Sequence, residues 1–198
     1  MTPRLYYLAR ANRGLPRGAF PARWAAHGAL GMALPRWRNV AQYLQCDRIA
    51  GASWDGVAVV AFRSEEARLA HVADPDGRVT KADEMLCFDR PISETACLAD
   101  GADAPPVAEG GLRLFRFLGA ESEAWSPTQR RRVREVDPGA IGIRLPLRPG
   151  AAMGFRWIEE VATRDPVAVA EALNPGKAPL LWVAARVRVL WPAPLPQA

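Results

Sequence analysis

Three residues in the first part of the chain, Phe20, Trp24 and His27, combine two large aromatic rings with a titratable imidazole. Their spacings of four and three residues place them on one face of a helix, so the imidazole points where the rings point. Large rings normally face the protein interior, and we therefore expect His27 to face it too. An imidazole can gain or lose a proton near physiological pH, which makes His27 a candidate general base or acid. The alternative is an interior histidine that is hydrogen-bonded to a backbone carbonyl.

The chain has 198 residues, of which 49% are hydrophobic and 24% are charged, and it contains seven tryptophans. This composition is typical of a globular protein, and the length suits two units of about a hundred residues each. The net charge of +5 comes from arginines that are scattered along the chain. The densest basic run, residues 130–134, has no aromatic residues between its arginines. We therefore expect no nucleic-acid partner.

The cysteines and the apolar runs bear on metal binding and location. Cys46, Cys87 and Cys97 show no Cys-x-x-Cys spacing, so we expect buried reduced thiols and no metal site. The apolar run within residues 1–10 is too short for a signal sequence, and no later run is long enough to span a bilayer. These features predict a cytoplasmic protein without a membrane partner.

The order of predicted elements in the first half is strand, helix, strand, strand, helix, strand, which is the ferredoxin-like βαββαβ arrangement. Asp55 before Gly56 is assigned to a turn, and His71 to the surface of the second helix. The predicted strands are 4–10, 39–49, 57–62 and 85–88. Asp83 and Glu84 come just before the last of these strands. The helices are predicted to begin near residues 16–21 and at Ser64.

The same order recurs in the second half. The predicted strands are 112–118, 140–147, 155–162 and 180–191, with helices at 126–136 and 165–173. Residues 99–111 have the composition of a linker, so we expect a first unit at 1–98 and a second at 112–198.

Each predicted four-stranded sheet has helices on one face only, so its other face must be covered. In the last strand, alternate positions form an apolar stripe, made of Leu181, Val183, Ala185, Val187 and Val189. We therefore predict an α+β fold of two tandem ferredoxin-like units that pack sheet on sheet.

The first half of the chain resembles the EthD family, whose members belong to the dimeric α+β barrel superfamily. The resemblance covers about half of the chain and depends on short motifs. These motifs are Leu5-Tyr6-Tyr7-Leu8, Gly14-Leu15, the helix segment from Phe20 to His27 containing Trp24, Trp54-Asp55-Gly56-Val57-Ala58 continuing to Phe62, and Asp83-Glu84 leading to Phe88-Asp89.

The resemblance implies a pocket between sheet and helices that is lined by Trp24 and His27. Phe20 and Tyr7 would help to shape it for an apolar or aromatic small molecule; Tyr6 must face the other side of the sheet. Asp83 could orient His27 or act as a second acid or base, whereas both it and Glu84 could equally be solvated loop residues.

Relatives of this superfamily include cofactor-free monooxygenases, lactone isomerases, polyketide cyclases and small lyases. The resemblance therefore implies a cofactor-independent enzyme that transfers a proton on an enolisable carbonyl or phenolic substrate, with His27 as the proton carrier. Two alternatives stay open: a non-catalytic binding protein for an apolar metabolite, and a haem-binding tandem barrel. Family members usually pair as two single units, so this chain is expected to be a monomeric pseudo-dimer or a homodimer. Because its second half has no histidine, that half would serve as a structural lid.

Overall fold

Eight strands and five helices make up the described part of the chain. The structure is a computed structural model that describes residues 2–16, 18–101, 104–120, 124–173 and 181–192. The strands are Pro3–Ala9 (β1), Val40–Gly51 (β2), Gly56–Phe62 (β3), Ala96–Asp100 (β4), Leu112–Leu118 (β5), Ile141–Pro146 (β6), Trp157–Ala162 (β7) and Leu181–Pro192 (β8). The helices are Phe20–Met32 (α1), Glu65–Ala73 (α2), Gly77–Cys87 (α3), Pro127–Val136 (α4) and Pro166–Leu173 (α5), and a 3-10 helix at Pro35–Asn39 follows α1.

All eight strands belong to one antiparallel sheet in the order β4-β1-β3-β2-β8-β5-β7-β6. Within each half of the sheet, the strand that comes last in the chain lies beside the first, followed by the third and the second. This is the ferredoxin-like order, and it occurs twice. The predicted repeat of βαββαβ is therefore confirmed, with α2 and α3 together in the place of one predicted helix.

The two halves join into a nearly closed barrel. On one side, β2 and β8 pair along a long ladder, from Tyr43 opposite Trp191 to Gly51 opposite Val183. On the other side, Ala99 of β4 bridges to Leu147 just beyond β6. The predicted α+β fold of two ferredoxin-like units facing each other is confirmed.

Apolar side chains from both halves fill the barrel interior. The predicted stripe of β8 lies there, packed with residues that include Tyr6, Leu44, Val59, Phe115 and Ile158. Because side chains alternate along a strand, Tyr7 faces outward, where α1 covers it.

A buried charged cluster crosses the barrel interior and links the two halves. The Tyr6 hydroxyl donates to Glu160 Oε2 at 2.9 Å, and Arg4 Nη2 lies 3.3 Å from the same oxygen. Arg113 donates to the other carboxylate oxygen of Glu160. Since both oxygens of Glu160 are used, we infer that the cluster helps to set how the halves align.

The segment around Asp83 differs from its prediction. Residues 85–88 were expected to form a strand, but Asp83 and Glu84 lie on α3, which ends at Cys87, and the strand β4 begins only at Ala96. This stretch contains good helix formers, and its buried positions Thr80 and Cys87 are seven residues apart, which is two helical turns. Because residues 76–84 are mostly polar, they contain too few apolar positions for a helical period to be recognised in the sequence.

His71 also differs from its prediction. It was assigned to the surface, yet it is only 9% exposed and its ring packs against Trp37 and Phe62. The three cysteines are buried, as predicted. No helix in the described ranges is long and apolar enough to cross a membrane.

Candidate functional site

Helix α1 packs closely on the outer face of the first half of the sheet. Trp24 is fully buried, stacks on Phe20 with ring centroids 5.3 Å apart, and donates from Nε1 to the Tyr7 hydroxyl at 3.2 Å. A Cβ on Gly56 of β3 would lie 2.6 Å from the Trp24 ring, so only glycine allows this approach. The Gly56 of the Trp-Asp-Gly motif therefore provides space for Trp24.

His27 and Asp83 form a hydrogen-bonded pair between α1 and α3. His27 Nδ1 lies 2.8 Å from Asp83 Oδ2, and Arg23 donates to Oδ1 of the same carboxylate. Partial burial alone would raise the pKa of Asp83, but the hydrogen bonds from Arg23 and His27 outweigh it and lower that pKa. An ionised carboxylate only accepts hydrogen bonds, so the proton of the neutral imidazole is on Nδ1 and Nε2 has a free lone pair.

Two tyrosine hydroxyls meet beside α1. The hydroxyl oxygens of Tyr7 and Tyr43 lie 3.0 Å apart. Trp24 donates to the Tyr7 oxygen, and Gln45 Nε2 donates to the Tyr43 oxygen at 2.9 Å. One of the two hydroxyl protons serves the bond between the tyrosines, so the pair keeps one further O–H for a ligand. Burial raises the pKa of both hydroxyls, to about 12 for Tyr43, which keeps them protonated as donors.

His27, Tyr7 and Tyr43 line a cavity of about 180 Å³ between the sheet and helices α1 to α3. His27, Gly28 and Gly31 form its α1 wall, and both tyrosines line it from the strands. The two glycines allow close packing at this wall, since an added Cβ would lie 2.8 Å from Leu190 at Gly28 and 3.1 Å from Trp37 at Gly31. A cavity of about 150 Å³ is known to hold benzene, so this one suits a single ring with small substituents.

The far end of the cavity is polar as well. Arg36 and Trp37 of the 3-10 helix line it together with His71 and Thr80. Arg36 Nη2 donates to Thr80 Oγ1 at 2.5 Å, and His71 Nδ1 lies 3.1 Å from the Arg36 carbonyl oxygen. His71 is thus held by a backbone carbonyl, whereas His27 is held by a carboxylate. Burial, followed by the nearby Arg36 charge, lowers the pKa of His71.

The structure brings together only some of the predicted site residues. Tyr7 and His27 line the cavity, and Asp83 contacts His27 from behind. Phe20 and Trp24 are not among the lining residues and instead form the packed layer next to the cavity.

Sequence reasoning missed Tyr43, Arg36, Trp37 and His71. The alternation of β2 could have placed Tyr43 on the helix-facing side of the sheet, since an extended strand sends alternate residues to the same face. The other three had no local signal, because a 3-10 helix and a helix of nine residues bring them to the cavity through tertiary packing.

The second half contains a smaller cavity of about 160 Å³, lined by Trp125, Arg130 and residues of β6. It has no histidine, since both histidines of the chain lie in the first half. Within the described residues, no group of three or more His, Cys, Asp or Glu side chains is arranged to hold a metal ion.

No family model and no curated protein matches the sequence. Solved structures do match over nearly the whole chain. A haem-binding protein from Thermus thermophilus is 10% identical, with 94% of this chain and 90% of that chain covered and a TM-score of 0.55. A proposed monooxygenase from Fusobacterium nucleatum is 9% identical, with 96% and 92% covered and a TM-score of 0.52. A mutant chlorite dismutase from Candidatus Nitrospira defluvii is 8% identical, with 94% and 91% covered and a TM-score of 0.51. At these identities the matches establish the fold, which is that of the ferredoxin-like dimeric α+β barrel proteins.

Proposed function

We propose that this protein is a cofactor-independent enzyme that moves a proton on a ring-sized substrate with an enolisable carbonyl or a phenolic group. The observation that carries the proposal is the 2.8 Å pairing of His27 Nδ1 with Asp83, on a histidine that lines the cavity. The resemblance of the first half to the EthD family supports the same reaction class, although neither the fold nor that resemblance fixes the substrate.

The proposed chemistry uses groups of this chain alone. His27 Nε2 accepts the proton from the carbon next to the carbonyl, and the electron pair of the broken C–H bond passes to the carbonyl oxygen as an enolate. The spare O–H of the Tyr7 and Tyr43 pair donates to that oxygen as its negative charge develops. Asp83 stabilises the imidazolium, which then returns its proton to the same or another carbon.

The test is exchange of carbon-bound protons for deuterium, which needs no knowledge of the natural product. Ring ketones and lactones, starting with cyclohexanone and γ-valerolactone, are incubated with the protein in D₂O and followed by proton NMR. We expect exchange above the buffer rate, and a loss of about 100-fold or more in His27→Gln, the range for removal of a general base. His27→Gln should keep the thermal melt of the wild type.

The matched control is His71→Gln, since His71 lines the same cavity but pairs with a backbone carbonyl. It should retain most of the exchange activity. Equal exchange rates in wild type and His27→Gln, or no exchange above buffer with any compound, would refute the proposed function.

A non-catalytic binding protein is the second candidate. A lone imidazole in an apolar cavity would favour it, because catalysis needs further polar groups in reach. Here Asp83 pairs with His27, and the tyrosine hydroxyls line the same cavity as His27. These contacts favour the enzyme.

Haem does not fit the described cavity. A porphyrin is several times larger than the single ring that about 180 Å³ can hold. We therefore derive no step through haem, and purified protein mixed with haemin should show no shifted Soret band.

A further inference from the structure

Arg36 is a cation without a carboxylate partner at the far end of the cavity. The side chain is half-buried, and among the described residues it makes no ion pair within 4.0 Å. Its hydrogen bonds go to neutral oxygens, Thr80 Oγ1 and the His71 carbonyl, while its Nε is buried without a partner. Burying a charge in this way costs free energy unless an opposite charge is present for at least part of the time.

Three carboxylates attract Arg36, but none of them lies within 4.0 Å of its guanidinium nitrogens. Burial lowers the pKa of Arg36, since the loss of solvation exceeds the attraction of Asp74, Asp76 and Glu84. Glu84 is the nearest of these to the ligand space because it lines the cavity, but its Oε2 accepts from the backbone N–H of Ile92. A guanidinium stays charged in proteins, so the site keeps a positive charge that is partly desolvated.

A second unpaired donor lies beside the first. Trp37 is only 7% exposed, lines the same cavity, and has a buried indole Nε1 with no partner in the described part of the chain. Buried indole N–H groups usually find an acceptor, so an unpaired one at a cavity requires an explanation.

The position of these donors relative to His27 sets the size of a ligand. The Trp37 ring packs against Gly31 of α1, where an added Cβ would lie 3.1 Å from its Cζ3 atom. Gly31 is four residues beyond His27, which is a rise of about 6 Å along a helix. A single ring spans this distance, so one substituent can lie at His27 while another lies at Arg36 and Trp37.

We propose that the Arg36 and Trp37 end of the cavity binds a carboxylate of the ligand, so that the substrates are single-ring carboxylic acids. The guanidinium supplies the charge, and the indole N–H and the guanidinium Nε–H beside it have no acceptor within the described part of the chain. The reacting carbonyl of such a substrate lies across the ring from its carboxylate. The reaction of that carbonyl at His27 rests on the proposed function. Binding of the carboxylate at Arg36 does not require turnover.

The test compares two probes that differ in charge but hardly in shape, benzoate and benzamide, by isothermal titration calorimetry. We expect the wild type to bind benzoate at least tenfold more tightly than benzamide. Arg36→Gln should remove most of that preference and change benzamide binding by less than threefold. Trp37→Phe, which removes the N–H and keeps an aromatic ring, should weaken benzoate severalfold.

Matched controls exist in the same region. Arg38 lies in the same 3-10 helix but is exposed, so Arg38→Gln should leave both affinities unchanged. Trp191 also has a buried indole N–H without a partner among the described residues, but it does not line the cavity, so Trp191→Phe is the control for Trp37→Phe. Circular dichroism and thermal melts verify that each variant is folded.

The outcomes separate this inference from the proposed function. If His27→Gln and the wild type exchange protons at the same rate, the proposed function is refuted. A benzoate preference that persists in His27→Gln supports the carboxylate site in that case too. Equal binding of benzoate and benzamide, no binding of either, or a preference that survives in folded Arg36→Gln would overturn it.

Discussion

At the scale of residues, the partner of each titratable side chain decides its chemistry. The two histidines of the chain line one cavity, but the Nδ1 of His27 pairs with the Asp83 carboxylate and that of His71 with a carbonyl. A carboxylate holds the proton on Nδ1 and stabilises the imidazolium, whereas a carbonyl supplies no opposite charge. The same residue type therefore has a proposed catalytic role at one position and a structural one at the other.

The tyrosines give a prediction about alkaline pH. Burial raises the pKa of Tyr6, Tyr7 and Tyr43 above the usual 10.0, to about 12 for Tyr43, and these are the three tyrosines of the chain. A folded pKa above the unfolded value means that their contribution to stability is complete below pH 10 and is lost as pH rises toward 12. Absorbance at 295 nm should show tyrosinate only together with unfolding seen by circular dichroism. Titration of a tyrosine near pH 10 in the folded protein would contradict this burial.

At the scale of elements, close packing of α1 against β3 depends on one glycine. A Cβ at position 56 would lie 2.6 Å from both the Cys46 carbonyl oxygen and the Trp24 ring. Gly56→Ala should therefore destabilise the fold by about 1–3 kcal/mol, the usual cost of overpacking, as measured by urea unfolding. In the control Gly139→Ala the nearest neighbour, Asp137 Oδ1, is 3.4 Å away, and we expect a change within about 0.5 kcal/mol. Equal urea midpoints for Gly56→Ala and Gly139→Ala would show that α1 can shift to accommodate the added methyl group.

Helix α3 shows the limit of local patterns. Its Asp83 was predicted to open a strand. In the structure Asp83 lies on α3, 56 residues after His27, and this helix brings its carboxylate to the imidazole. The helix predicted at 126–136, by contrast, matches α4. Its start has a local signal, Ser126 followed by Pro127, and the structure contains a capping box between Ser126 and Gln129.

At the scale of the whole molecule, the buried cluster of Arg4, Tyr6, Arg113 and Glu160 joins the halves across the barrel. Glu160→Gln would leave two buried guanidinium groups without their carboxylate, so we expect a loss of about 3–5 kcal/mol in the free energy of unfolding.

The control for Glu160→Gln is Glu135→Gln, whose partner Arg131 is exposed and one helical turn away. An exposed pair of this kind contributes less than about 1 kcal/mol. Urea unfolding measures both variants. Similar losses would mean that the interior cluster does not stabilise the closed barrel.

The opposite orientations of Tyr6 and Tyr7 and the apolar stripe of β8 could be predicted from the sequence, because each depends on spacing within one element. The element order could be predicted as well, except for α3. The pairing of His27 with Asp83, the tyrosine pair and the unpaired donors Arg36 and Trp37 appeared only in the tertiary structure. Periodicity tells which face of an element a side chain occupies, but it carries no information on which other element will pack against that face, and the chemistry of this cavity arises between elements.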